Sequence, residues 1–242
     1  MKNFFILCCL WIACCAISAQ EPCPQVIPAL QQWKGGSGKL ALPAEGNIVV
    51  NPADEAVLLS TAEILADDLS LMMGWNYSVK IGKPGKNDIY MALRKPDKEL
   101  GDEGYKLSVN RYAGIEAPTR KGVFWGTRTL LQMLYKQQGK ISKGTARDFP
   151  LFPNRGFMID AGRKFFTLDY LKQYVKILSF YKMNEFQIHL NDNGFPQFFD
   201  NDWNKTYAAF RLESERFPGL TAKDGIPRKS LPTCNGWVWN MG

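Results

Sequence analysis

The segment from Arg155 to Asp192 constrains the fold of this chain more than any other. Arg155-Gly-Phe-Met-Ile-Asp-Ala-Gly-Arg163 and Lys182-Met-Asn-Glu-Phe-Gln-Ile-His-Leu-Asn-Asp192 each carry a short apolar run that ends in polar, hydrogen-bonding side chains. Between them Leu168, Leu171, Val175, Leu178 and Tyr181 recur in steps of three and four, the spacing of one helix face. Thr167 supplies an N-cap oxygen, and Asp169 places a carboxylate in the first turn, where the helix dipole favours it. Strand, helix and strand in that order make two parallel strands joined by a right-handed crossover. Parallel barrels carry their chemistry at the carboxyl ends of their strands. The polar residues that end these two runs are therefore the first place to look for a site.

Arg155 opens the first strand. Its guanidinium is a fixed fork of donors that suits sugar hydroxyls or a carboxylate, and it suits equally a structural role closing the barrel floor. Asp160 and Arg163, three residues apart at the strand's far end, read first as a pair with each other. His189 is the only histidine of the chain, and in an apolar strand it reads as a hydrogen-bonded interior residue. With no second histidine and no cysteine pair nearby, no metal site is expected and no cofactor motif is present. Asp192 follows at the carboxyl end of the second strand, flanked by Asn191 and Asn193, and reads as functional. The adjacent acids Asp54-Glu55, Asp67-Asp68 and Asp102-Glu103 fall at a helix start, on a polar helix face and in a turn. None of them is expected to take part in catalysis.

Upstream, Asn47–Val50 is a short strand, and Glu55–Met73 repeats Leu58, Ala62, Leu65, Leu69 and Met72 along one helix face before Gly74. Strand-length runs follow at Trp75–Ile81, Asp88–Leu93, Tyr105–Val109 and Tyr112–Ala117. A second helix from Arg120 to about Tyr135 presents Phe124, Thr127, Leu131 and Leu134 along one face. The domain ends near Asp148, with Pro150 and Pro153 marking a boundary. The stretch 20–39, rich in Pro, Gly and Gln, reads as a lead-in.

Residues 1–19 have the layout of a secretory leader: Lys2, an apolar run Phe4–Ile17, and small Ser18 and Ala19 ahead of Gln20. Cleavage after Ala19 delivers the chain to the periplasm or the exterior. Lipidation at Cys14 or Cys15 is the alternative, and the residues before them fit it poorly. Only Cys23 and Cys234 remain beyond the leader, so no disulfide framework is expected. The net charge of +7 is scattered over the chain in single basic pairs, a pattern that argues against a nucleic-acid partner. No membrane association is expected once the leader is removed.

Arg155-Gly-Phe-x-x-Asp-x-x-Arg163-Lys-Phe-Phe, Lys182-Met-Asn and His189-Leu-Asn-Asp192 resemble glycoside hydrolase family 20, the β-N-acetylhexosaminidases. Arg120-Lys-Gly-Val-Phe-Trp-Gly-Thr-Arg-Thr-Leu-Leu-Gln132 resembles the non-catalytic N-terminal domain of that family. The resemblance covers roughly residues 40–225. It implies an α+β N-terminal domain over 40–150 and the start of a (β/α)8 catalytic barrel over 151–225, followed by an unrelated-looking tail over 226–242. It implies a glycan partner bearing a terminal N-acetylhexosamine, with Arg155 gripping its hydroxyls and Asp192 supporting the catalytic glutamate. His189 is then architectural. The Asp-Glu pair of the family, set after a later barrel strand, has no counterpart here, so an incomplete barrel and a truncated, inactive chain are expected. The second reading is a non-enzymatic, carbohydrate- or partner-binding protein. Its N-terminal domain would use Trp75, Tyr77, Tyr105 and Trp125, although each of these also reads as core.

Overall fold

A computed structural model describes residues 20–162, 166–190, 197, 200–202, 210–216 and 221–226. The chain divides into two compact units, Met1–Phe149 and Pro150–Gly242.

The first unit is a seven-stranded mixed sheet with two helices. In chain order its elements are β1 (Gln32–Ala41), β2 (Glu45–Val50), α1 (Glu55–Met73), β3 (Asn76–Ile81), β4 (Ile89–Leu93), β5 (Tyr105–Val109), β6 (Ala113–Ala117), α2 (Arg120–Lys136) and β7 (Lys140–Asp148). Strand order across the sheet is β1-β7-β5-β6-β4-β2-β3. The neighbours from β6 through β4 and β2 to β3 run parallel, and those from β1 through β7 and β5 to β6 run antiparallel.

The core forms where the helices meet the sheet. Ile48, Val50, Ile89, Met91, Leu107 and Ile115 from the strands are fully buried with Leu58, Leu65 and Leu69 of α1. Each such side chain contributes roughly 1.5–3 kcal/mol by leaving water. Helix α1 ends where its spacing predicts. Gly74 takes φ 67° there, its amide donates to Ser70 O, and Trp75 N donates to Leu69 O. Only glycine adopts that left-handed turn without strain.

Helix α2 departs from expectation. One apolar face was predicted, yet every residue from Gly122 to Leu134 is buried. Thr119 caps it, accepting from Gly122 N at 3.1 Å. Gly122 and Gly126 let it lie against the sheet, since a Cβ at Gly126 would overlap Ile115 and the Tyr105 ring. Its polar residues are consequently paired inside the protein. Arg128 Nη1 lies 2.5 Å from Asp68 Oδ2 on α1, and the guanidinium sits 4.6 Å above the Phe124 ring. Asp68 is therefore not on a solvated face as predicted; its neighbour Asp67 is. Thr129 Oγ1 lies 2.5 Å from Tyr105 Oη, which donates to Asp148 Oδ2 at 2.6 Å. Asp148 also accepts from Gln31 N at 3.0 Å.

The expected lead-in over 20–39 is also corrected. Gln32–Ala41 is β1, paired with β7, a strand that the sequence reading passed over. Trp33 of β1 packs on Gly144 of β7, where no side chain could fit.

The second unit contains β8 (Gly156–Asp160), α3 (Leu168–Phe180) and β9 (Glu185–His189), with β8 and β9 parallel as expected. Thr167 caps α3 by accepting from Tyr170 N at 3.2 Å. Leu171, Val175 and Leu178 of α3 are buried, as are Ile159 and Phe186 of the strands. A further short parallel pair, β10 (Phe210–Leu212) and β11 (Thr221–Ile226), was not predicted. The leader expected over 1–19 and, apart from Ile226, the tail expected over 226–242 lie outside the described residues.

Two predictions arise from the buried polar pairs. Asp68→Ala strands the Arg128 charge and is expected to cost about 3–5 kcal/mol. Asp67→Ala, next to it but exposed, is expected to stay within about 0.5 kcal/mol. Urea unfolding of the two variants separates them, and equal losses would show that the pair contributes little. The second prediction concerns alkaline pH. Burial, and after it the Asp148 carboxylate, raises the Tyr105 phenol well above its ordinary value. Burial and then Asp88 raise Tyr77 likewise. Above the ordinary phenol value of about 10 the unfolded chain sheds protons that the folded chain keeps, so stability falls as pH rises. Urea midpoints measured from neutral pH upwards are expected to be insensitive to these phenols until about pH 10 and then to drop. Tyr105→Phe is expected to flatten part of that drop.

Candidate functional site

The carboxyl ends of β8 and β9 bring two of the sequence candidates together. Asp160 and His189 are direct partners in the parallel register, so their side chains leave the same face of the two-stranded sheet. Both are half-buried. The chain leaving β8 folds back over this end, with Ala161 N and Gly162 N both donating to His189 O, at 2.9 and 2.8 Å. Those two bonds hold the end of β8 against the end of β9. A carboxylate and an imidazole side by side at a strand end can accept and donate hydrogen bonds to a polar ligand such as a sugar hydroxyl. Arg163 and Asp192, the other two candidates at these strand ends, lie outside the described residues.

Arg155 is elsewhere. It precedes β8, so roughly 16 Å of extended chain separates it from Asp160. Two of its donors bind backbone: Nε donates to Lys182 O at 2.7 Å, and Nη1 donates to Phe152 O at 2.8 Å. Its amide donates to Asn184 Oδ1 at 2.8 Å, and Asn184 Nδ2 donates to Pro153 O at 2.7 Å. Asn184 N in turn donates to Arg155 O at 3.0 Å. The Lys182-Met-Asn run is thus the turn from α3 into β9. Lys182 takes φ 59° there, and its amide donates to Ser179 O. These bonds fit the structural role that was open to Arg155. Its fork ties the starts of the two strands together, at the end of the sheet opposite the candidate site.

Among the described residues no group of three His, Cys, Asp or Glu side chains could hold a metal ion, and no helix is long and apolar enough to cross a membrane. Nor do the four aromatic residues named for a binding groove in the first unit form one. Tyr77, Tyr105 and Trp125 are buried, and Trp75 is half-covered and stacks on Tyr77 at 5.9 Å.

Comparison with known proteins gives a consistent result. Residues 23–149, more than half of the chain, match the model of glycosyl hydrolase family 20, domain 2. Residues 152–231 match the catalytic domain of the same family. A β-hexosaminidase of Porphyromonas gingivalis is 28% identical over 234 residues, covering 89% of this chain and 28% of the relative. A β-N-acetylhexosaminidase of Cellulomonas fimi is 31% identical over 156 residues, covering 63% of this chain and 31% of the relative. This chain therefore spans about a third or less of these relatives. Among solved structures, the β-N-acetylhexosaminidase of Streptomyces coelicolor A3(2) superposes with a TM-score of 0.71 at 23% identity, over 92% of this chain and 45% of that one. A mutant Streptomyces plicatus β-hexosaminidase in complex with its product GlcNAc gives 0.72 at 22% identity, over the same shares of the two chains. The shared fold is an α+β N-terminal domain followed by part of a TIM-type barrel, which does not close among the described residues. Two consecutive matches to two domains of one family, in the order that the chain folds them, make this protein a member of glycoside hydrolase family 20, the family of the β-N-acetylhexosaminidases.

Proposed function

We propose that this chain carries the N-terminal domain and the first strands of the barrel of an exported β-N-acetylhexosaminidase. The substrate is a glycan ending in β-linked N-acetylglucosamine or N-acetylgalactosamine. The observation that carries this reading is the placement of Asp160 and His189 in register, on one face, at the carboxyl ends of two parallel strands. Barrel enzymes hold their substrates at that end. The GlcNAc complex of the Streptomyces plicatus enzyme supports the sugar class, and the apolar run and small residues of 1–19 support export.

The family resemblance implies a retaining mechanism in which the acetamido carbonyl of the substrate acts as nucleophile. A carboxylate orients that acetamido group, and a glutamic acid protonates the leaving oxygen. In this chain Asp160 and His189 offer hydrogen bonds to the sugar and to the polar residues beside it. Arg155 fixes the strands on which they stand. The Asp-Glu pair that would orient the acetamido group and deliver the proton follows neither β8 nor β9 in the sequence. The ends of β8 and β9 therefore bind and position the sugar without supplying the acid.

A chromogenic β-N-acetylglucosaminide tests this directly. The purified chain is expected to release chromophore no faster than buffer does. Turnover that disappears in Asp160→Asn would overturn the reading by placing a working acid within these residues. The role given to Arg155 has its own test in its partner. Asn184→Ala removes the acceptor for the Arg155 amide and the donor to Pro153 O, and is expected to cost about 1–3 kcal/mol in urea unfolding. A variant as stable as the parent would show that the tie between the strand starts is dispensable.

A further inference from the structure

We propose that the exported chain begins at Gln20 and that this residue is a modification site, its α-amine closing onto its own side-chain amide to give an N-terminal pyroglutamate. The inference rests on the export reading above and goes beyond it. Ser18 and Ala19 provide the small residues of a cleavage site, and cleavage after Ala19 makes Gln20 the first residue of the mature chain. Glutamine is suited to this chemistry because its side-chain carbonyl lies five ring atoms from its own α-nitrogen. The neutral amine attacks the carboxamide carbon, a carbon–nitrogen bond forms, and the amide nitrogen leaves as ammonia with a proton from the amine. The balance needs no oxidant and no second substrate, so a cyclase only accelerates it.

The structure leaves room for the ring. Gln20 is exposed and lies opposite Ser37 of β1 in an isolated antiparallel bridge. Beside that bridge, the amide of the next residue donates to Gly36 O at 2.8 Å. Glu21 also accepts from Trp33 Nε1 through its carbonyl, at 3.2 Å, and from Ser142 Oγ through its carboxylate, at 2.9 Å. The chain is thus anchored from Glu21 onward, and none of these bonds uses the Gln20 nitrogen. Converting that amine to a lactam disturbs none of them.

The modification has something to protect. Glu21 covers β1, which is the edge strand of the sheet among the described residues, and an uncovered edge is a liability. Further along, Ile27 exchanges two hydrogen bonds with Gln132 of α2, at 2.7 and 2.8 Å. An aminopeptidase needs a free α-amine, and pyroglutamate has none. Cyclisation also removes a group that is partly charged at neutral pH, its ordinary value being about 7.7–8.0.

The test is the N-terminus of the chain exported under its own leader. Mass spectrometry is expected to find a terminal peptide starting at residue 20 and lighter by one ammonia than its glutamine form. Edman degradation is expected to be blocked until pyroglutamyl aminopeptidase exposes Glu21. Gln20→Ala is expected to give a readable alanine in the first cycle. A free Gln20 overturns the cyclisation while leaving the export reading intact. A start at any other residue, or a retained leader, overturns the cleavage on which the proposal depends. A block that persists in Gln20→Ala also overturns it, by showing that the group on the terminus is of another kind.

Discussion

The register between two parallel strands decides what the second unit can do. A slip of one residue between β8 and β9 would turn every side chain of one strand to the other face. Asp160 would then lose its place opposite His189. Two sets of interactions, one at each end of the strands, prevent the slip. At the starts, Arg155 and Asn184 bind each other's backbone and draw in the carbonyls of Phe152, Pro153 and Lys182. At the far ends, two successive amides close on His189 O. Arg155 thus helps to fix the strands whose other ends carry Asp160 and His189.

The first unit solves a different problem. Because α2 is buried from Gly122 to Leu134, its polar side chains cannot reach water and must find partners inside. Transferring an unpaired guanidinium from water into the interior would cost several kcal/mol. Asp68 offsets that cost through the 2.5 Å contact, and the Phe124 ring face adds a cation–π contact. A buried pair of this kind adds little net stability over well-packed apolar residues, but it is costly to break from one side. It also ties α1 to α2 in one arrangement. The Thr129–Tyr105–Asp148 chain of hydrogen bonds does the same between α2, β5 and β7.

How much of this could be read from the sequence depended on the range of each interaction. Helix α1 was legible because Leu58, Ala62, Leu65 and Leu69 repeat at helical spacing and Gly74 stops them. Strands β8 and β9 were legible because each is an apolar run with the capped, amphipathic α3 between them. β1 was missed because its Gly35, Gly36 and Gly38 carry no pattern, and the first two make sense only once Glu21 and the facing strand β7 are in place. Asp68 was misread because its partner is 60 residues away along the chain. For Arg155 the sequence left two roles open, one at the ligand and one structural. A strand with polar residues at both ends does not say which end faces the ligand. Strand direction does, and the βαβ order sets it.

The same reasoning bounds the chemistry of the second unit. A parallel sheet is normally covered on both faces, yet on β8 both Phe157 and Met158, which point to opposite faces, are exposed. Phe157 is only partly sheltered, by Tyr174 of α3 and Phe186 of β9. Met158 precedes Asp160 on the same face, so the apolar lining of a barrel interior and the polar group above it are both present on a single strand. What a glycosidase adds to such a face is water exclusion around a carboxylic acid whose proton is kept for the leaving oxygen. Exclusion needs walls on every side, and two strands form one wall. Asp160 and His189 present hydrogen-bonding groups side by side at such a face. The enclosed acid that glycosidic cleavage requires needs more walls than the one these two strands form.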